Sequence, residues 1–165
     1  METSFEDVLR GLLVGRSVAA LATLHDGRPA VSMVPFAAEV VDGQAVLVAH
    51  VSGLAAHTRD MRESPPVSIL LVAAESAGVS PQALPRVSIA ARAEFVPPGH
   101  AWHAVLRRSY LARFPDAEPM FGFGDFSLVA FVPESVRLVA GFAQARTMGV
   151  AALAAALAGG RGRGG

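Results

Sequence analysis

The sequence predicts a β-rich domain with a few helices, built as an antiparallel barrel rather than a parallel α/β sheet. Three observations carry this. Asp26-Gly27 and Asp42-Gly43 each stand between apolar runs, a strong short-range signal for a tight hairpin. The run Arg86–Val96 alternates Val87, Ile89, Ala91, Ala93 and Phe95 against Arg86, Ser88, Arg92 and Glu94, the period of a half-buried strand. Consecutive hairpins with no internal repeat and no long linker favour antiparallel closure within one domain.

The elements follow in order. Thr3 and Glu6 form a capping box ahead of a helix that runs to about Val14. Ser17–Leu24 is a strand, His25-Asp26-Gly27-Arg28 a turn in which His25 reads as solvated, and Pro29–Val41 a long returning strand. Gln44–Ala49 is the third strand. A short helix follows, ended by Pro65-Pro66, and Val67–Ala73 is the fourth strand, rich in Val, Ile and Leu. Glu75–Leu84 is loop and Arg86–Val96 the fifth strand. Pro97–Phe114 reads as a helix with prolines at its start. Phe126–Val132 and Ser135–Phe142 are the last strands, split by Pro133, before an Ala-rich helix over Thr147–Leu157. The expected division is one domain over residues 1–158 and a flexible Gly/Arg tail over 159–165.

Composition narrows the chemistry. The chain has 165 residues, 52% hydrophobic and 17% charged, with formal net charge zero, which argues against nucleic acid as the main partner. All 14 basic residues are Arg, so a Schiff-base lysine and a phosphate-loop lysine are excluded. No Cys is present, hence no disulfide, thiolate metal site or Cys nucleophile. The acidic, amphipathic N-terminus METSFEDVLRGLL does not read as a signal peptide, and the Leu12–Leu24 stretch, broken by Gly15 and Arg16, is too short to span a bilayer. The expectation is a cytoplasmic protein without a membrane partner. His100 and His103 share a helix face but lack a third ligand nearby, so no metal site is expected.

The most informative stretch is Val46–Ala73, which reads strand, loop, short helix, strand. Between the strands lie His50, Ser52, His57, Thr58 and Arg59. Ser52 is placed to cap the helix, and the free N–H groups of a first turn make a seat for an anion such as phosphate. An ordinary surface helix with Leu54, Thr58 and Met61 packed inward fits the same spacing. No glycine-rich dinucleotide loop accompanies it; Gly122-Phe123-Gly124 is too short and precedes a strand.

The run His50-x-Ser52-x-Leu54-x-x-His57-Thr58 resembles the phosphate-binding unit of the pyridoxamine-phosphate oxidase-like FMN-binding split barrels, above all their haem-utilisation branch. Three further stretches match that branch in order: Ala20–Phe36, Pro81–Val96 and Arg108–Phe131. The resemblance implies a six- or seven-stranded antiparallel split β-barrel with peripheral helices, and a homodimer with cofactor at its interface. FMN is the implied cofactor and haem the alternative, with a small-molecule redox partner. It also implies roles. The backbone of Ser32, Met33, Val34 and Pro35 would run along the flavin ring. His50, Ser52, His57, Thr58 and Arg59 would hold the ribityl phosphate, and Arg86 would reach the flavin of the other subunit.

Two departures qualify the resemblance. Phe36 and Ala37 stand where the true oxidases carry a substrate-gripping lysine, and Arg108, Tyr110 and Arg113 do not reproduce their substrate motif, so pyridoxamine-phosphate oxidase activity is not expected. Haem-binding relatives use a histidine near the C-terminus as iron ligand; this chain has none after His103, and Asp125 in GFGDF lacks that partner. The implied functions are an FMN-dependent oxidoreductase, a haem-utilisation protein, or a cofactor-free interaction protein on the same fold. No residue stands out as a catalytic acid or base.

Overall fold

The computed structural model describes residues 4–159. Eight strands and four helices follow one another: α1 (Phe5–Gly15), β1 (Val18–His25), β2 (Arg28–Pro35), β3 (Ala37–Val41), β4 (Gln44–Ser52), α2 (Ala56–Glu63), β5 (Pro66–Val72), β6 (Arg86–Phe95), α3 (His103–Arg113), β7 (Phe126–Val139), β8 (Ala145–Met148) and α4 (Ala151–Ala158). All pairings are antiparallel, in the order β2-β1-β5-β6-β7-β4-β3, with β8 alongside the second half of β7. The sheet curls without closing. Its two edge strands, β2 and β3, are consecutive in the chain and joined only by Phe36. This is the expected split-barrel architecture, with eight strands among the described residues where six or seven were expected.

Both Asp-Gly pairs form the hairpins their sequence demands, with Asp26, Gly27, Asp42 and Gly43 all at positive φ. The first turn fixes the register of β1 on β2, His25 opposite Arg28 through to Val18 opposite Pro35. In a two-residue hairpin the flanking pair exchanges both backbone bonds, and the bonding alternates from there. Arg28, Ala30, Ser32 and Val34 therefore face β1, while Val31 and Met33 turn their N–H and C=O groups to the open edge. Pro29 and Pro35, in the same outward row, have no N–H to offer, which blunts that edge against indiscriminate pairing.

The barrel interior holds Leu21, Leu47, Ile69, Leu71, Ile89, Phe131 and Leu138, all buried, and α1 and α4 plug one end with Leu9, Leu12, Leu13 and Leu153. A second apolar cluster lies outside the barrel, where Val46, Val48 and Leu128 meet Leu106 and Tyr110 of α3.

Several boundaries differ from expectation. Pro29–Val41 is two strands, because Phe36 turns its fully buried side chain inward and donates its N–H to Ser17. Pro133 does not divide the last strand: a register shift against β6 leaves Glu134 extra and absorbs the proline. The strand β8 was hidden in the expected Ala-rich helix, which begins only at Ala151. The helix expected from Pro97 starts at His103; turns fill the interval. Thr3 lies outside the described residues. The cap of α1 is Ser4, whose hydroxyl accepts the Asp7 N–H at 3.1 Å. The expected tail, from Gly160 onward, also lies outside them. No described helix is long and apolar enough to cross a membrane.

Candidate functional site

The alternation of β4 decides where the motif residues go. Leu47, Ala49 and Val51 point into the barrel, so Val46, Val48 and His50 point outward. His50 therefore enters a cavity of about 500 Å³ between β4, β7, α3 and the loop before β7. Its ring stacks on Phe121 at 3.8 Å, nearly parallel, and its buried Nδ1 has no hydrogen-bond partner. Burial, then the charges of Arg107 and His103, push its pKa down to about 4.

His57 goes elsewhere. It lines an open cavity of about 280 Å³ bounded by β1, β2 and α2, with Thr23, His25, Ser32 and Asp60. The expected single anion seat is thus two cavities, on either side of the strand-to-helix junction. Ser52 is not the helix cap: α2 starts four residues later, and its N-cap, Ala55, has no side-chain bond. Instead the Ser52 hydroxyl accepts the Leu54 N–H at 3.2 Å and donates to Asp125 Oδ2 at 3.3 Å. Thr58 is buried and donates to the Ser52 carbonyl at 2.6 Å, so its role is to hold the junction. Arg59 is exposed and faces Asp26 at 3.9 Å and Glu63 at 3.7 Å. Arg86, on β6, is three strands from β2; it donates to the carbonyls of Gln82 and Leu84 and lines another open cavity with Arg137 and Gln144.

The β2–α2 cavity has features that the sequence did not disclose. His25 is not simply solvated. Its Nδ1 lies 2.7 Å from Oδ1 of Asp60, a carboxylate only 2% exposed, and Thr23 donates to the other oxygen at 2.9 Å. Burial would raise the Asp60 carboxyl; the bonds from His25 and Thr23 and the charges of His25 and Arg59 outweigh it and hold it below its ordinary value. Burial lowers the His57 imidazole against the opposing pull of Asp60. Ser32 Oγ is buried with no partner. The signal that could have found Asp60 is spacing: it falls three residues after His57 on α2, so the two share a helix face.

Met33 and Val31 are exposed on the open edge, whereas Val34 is buried and Pro35 exposed beside it. Within the segment 32–35 only Met33 thus turns an N–H to the open edge, with Val31 completing the pair of outward-facing N–H groups. Gly53 joins the two cavities' frames: it donates to the Asp125 carbonyl, and a Cβ there would lie 2.9 Å from that oxygen. The motifs His50–Thr58 and GFGDF meet at this point. His100 and His103 are committed to the loop, His100 to Glu94 and the Trp102 N–H and His103 Nδ1 to the Val96 carbonyl.

The open-edged antiparallel barrel with peripheral helices defines the class of fold, a split β-barrel. A family profile described as Pyridoxamine 5'-phosphate oxidase matches residues 5–140, and the chain belongs to that family. It is 33% identical over 138 residues to "Non-canonical heme oxygenase HOZ, chloroplastic" of Arabidopsis thaliana, covering 84% of this chain and 40% of that protein. A heme binding protein from Mycobacterium smegmatis aligns with TM-score 0.76 at 31% identity over 94% of this chain and 62% of the other. The chain therefore spans less than two thirds of either relative. HutZ of Vibrio cholerae, a heme storage protein, shares the fold at TM-score 0.72 and 23% identity, over 87% of this chain and 99% of that one.

Proposed function

We propose that this chain is a homodimeric flavoprotein, binding FMN in the cavity between β2 and α2, and acts as an oxidoreductase other than a pyridoxamine-phosphate oxidase. The observation that carries the reading is Ser32 Oγ, buried beside His57 without a hydrogen-bond partner. A buried hydroxyl without a partner is a standing cost that a phosphate oxygen would relieve. The residues fit the group in other ways. Val31 and Met33 offer free backbone to the polar edge of a planar ring, and Asp60 fixes His25 at the cavity wall. FMN supplies electron transfer; the chain supplies donors, orientation and an apolar strand face. A neutral His57 is a weaker phosphate partner than a cation, so affinity is expected to rise as the solution is acidified. Arg86 lies too many strands away to reach the cavity on its own chain, so it would serve a second copy, whose contact would also cover the exposed Val31 and Met33.

A second reading, haem in place of FMN, is favoured by one specific observation besides the relatives. Asp60 accepts from His25 Nδ1, the arrangement that orients an iron-ligating imidazole, and Nε2 faces only the exposed carboxylate of Asp26 at 3.6 Å. His25 would then stand in for the histidine missing near the C-terminus.

A visible spectrum of the purified protein separates the two, flavin bands against a Soret band. For FMN, titration by fluorescence quenching should show His57→Ala and Ser32→Ala each weakening binding about ten- to a hundred-fold, the loss of one hydrogen bond to a charged group. Unchanged affinity in both variants would sink the seat. A Soret band abolished by His25→Ala would replace FMN with haem.

A further inference from the structure

The cavity that receives His50 is separate from the β2–α2 seat and differs from it in chemistry. We propose that it is a second ligand site, selective for a planar aromatic molecule carrying one negative charge, such as an aromatic carboxylate.

Two guanidinium groups face this cavity. Arg107 pairs with Glu118 at 3.2 Å, so its charge is matched. Arg62 lies 3.8 Å over the Phe95 ring and donates to Ser127 Oγ at 3.3 Å; among the described residues it has no carboxylate within ion-pair distance. His50 is held neutral by burial and neighbouring positive charge, and His103 directs Nδ1 to the Val96 carbonyl. Of the two guanidiniums one is thus without a carboxylate partner, and it suits a single anion. A carboxylate suits a guanidinium because its two oxygens match the planar fork of donors.

The walls set the rest of the ligand. Phe95 lies under Arg62, Phe121 lies under His50, and Phe126 is within 5.1 Å of the His50 ring centroid, so flat aromatic surfaces flank the cavity. Flat rings are matched by a flat ring. The volume of about 500 Å³ accommodates a small bicyclic molecule rather than a peptide. His50 Nδ1, buried and without a partner, marks a point where a polar atom of the ligand would be received. None of this depends on what occupies the β2–α2 seat.

The test is calorimetric titration of the full chain with 2-naphthoate, run beside the uncharged 2-naphthamide. The expected result is saturable binding of one naphthoate per chain, with the amide at least about ten-fold weaker, the loss of one charge-assisted contact. Arg62→Gln should lower naphthoate affinity about ten-fold or more. His50→Phe, which keeps the stack on Phe121 and removes the orphan nitrogen, should lower it by a smaller factor. Arg59→Ala, at the other cavity, should leave it unchanged. Should Arg62→Gln fail to fold, Arg62→Lys reads the same contact, because a point charge replaces the fork. Absence of saturable binding in the millimolar range, equal affinity for acid and amide, or naphthoate affinity indifferent to both Arg62 and His50 would each overturn the proposal. An Arg59→Ala effect as large as that of Arg62→Gln would do so too, by relocating the ligand to the seat.

Discussion

The two cavities are furnished by one short run of sequence, yet they share almost nothing in chemistry. The β2–α2 cavity is small and open, and its organising group is a buried acid, Asp60, that holds His25. The His50 cavity is larger, walled by aromatic rings, and its organising groups are guanidiniums. In the first an imidazole is held by a carboxylate; in the second an imidazole stacked on a ring is kept from protonation by burial and neighbouring positive charge. The difference teaches how a motif on a strand-to-helix junction works. Period-two alternation throws His50 to the outer side of β4, and α2 then carries His57 round to the face of β2. A run that reads as one site in sequence furnishes two.

The comparison breaks most severely where the two frames are joined. Gly53 lies against the Asp125 carbonyl with no room for a side chain, since a Cβ would come within 2.9 Å of a backbone oxygen. Gly53→Ala should therefore destabilise the fold by about 1–3 kcal/mol, the usual cost of overpacking. The same change should loosen both cavities at once, because β4 ends and β7 begins beside that contact. Chemical denaturation gives the stability; a wild-type midpoint in the variant would mean that the joint yields freely and that the two sites are independent.

A smaller effect sharpens the electrostatic contrast. The His50 ring has its pKa lowered from 6.5 to about 4. Between those values the unfolded chain binds a proton at this position and the native chain does not. Stability from this group is thus fully present above pH 6.5 and is lost as pH falls toward 4. The full shift corresponds to about 3 kcal/mol, and screening of a half-exposed ring reduces that to about 1–2 kcal/mol. His50→Phe should flatten this part of the pH profile relative to wild type, measured as denaturation midpoints at pH 7 and pH 5. His57 shifts in the same direction, but Asp60 opposes it, so His57→Phe should flatten the profile less. Equal slopes in wild type and His50→Phe would remove the contrast.

Much of this was legible in the sequence and some was not, for physical reasons. Hairpins announce themselves locally, and Asp26-Gly27 and Asp42-Gly43 located both turns, although the single strand expected between them, Pro29–Val41, is two. Burial alternation placed β6. What failed was long-range. Whether Pro133 ends a strand depends on whether β6 can absorb an extra residue, which the local run does not encode. His25 reads as a solvated turn residue because its partner, Asp60, is 35 positions away. Ser52 reads as a cap because a cap and a strand terminus that bonds a distant loop use the same hydroxyl; its true partner, Asp125, is 73 positions on. Even the correctly expected inward packing of Thr58 concealed a bond to the Ser52 carbonyl that only the folded junction brings into reach.

The smallest expected effect concerns Arg59, which on spacing alone belongs with His57 as a phosphate donor. In the fold it stands at the rim, more than half exposed, facing Asp26 and Glu63 at 3.9 and 3.7 Å. Both contacts are long for ion pairs and lie in water. Exposed pairs of this kind contribute about 0–1 kcal/mol, because solvent screens the attraction and ordering two long side chains costs entropy. Two nearby carboxylates also offset the field that Arg59 would present to an anion. Arg59→Ala should therefore change stability by less than about 0.5 kcal/mol and cofactor affinity by only a few-fold. Removal of residues 57 and 59 together should cost little more than removal of His57 alone, which lines the cavity beside Ser32. Titrating FMN into Arg59→Ala, His57→Ala and the double variant apportions the effect. A ten-fold loss from Arg59→Ala would mean that the arginine leaves its two acids when the anion arrives. The rim would then belong to the seat, and the boundary drawn between a polar interior and a solvated edge would move outward by one turn of α2.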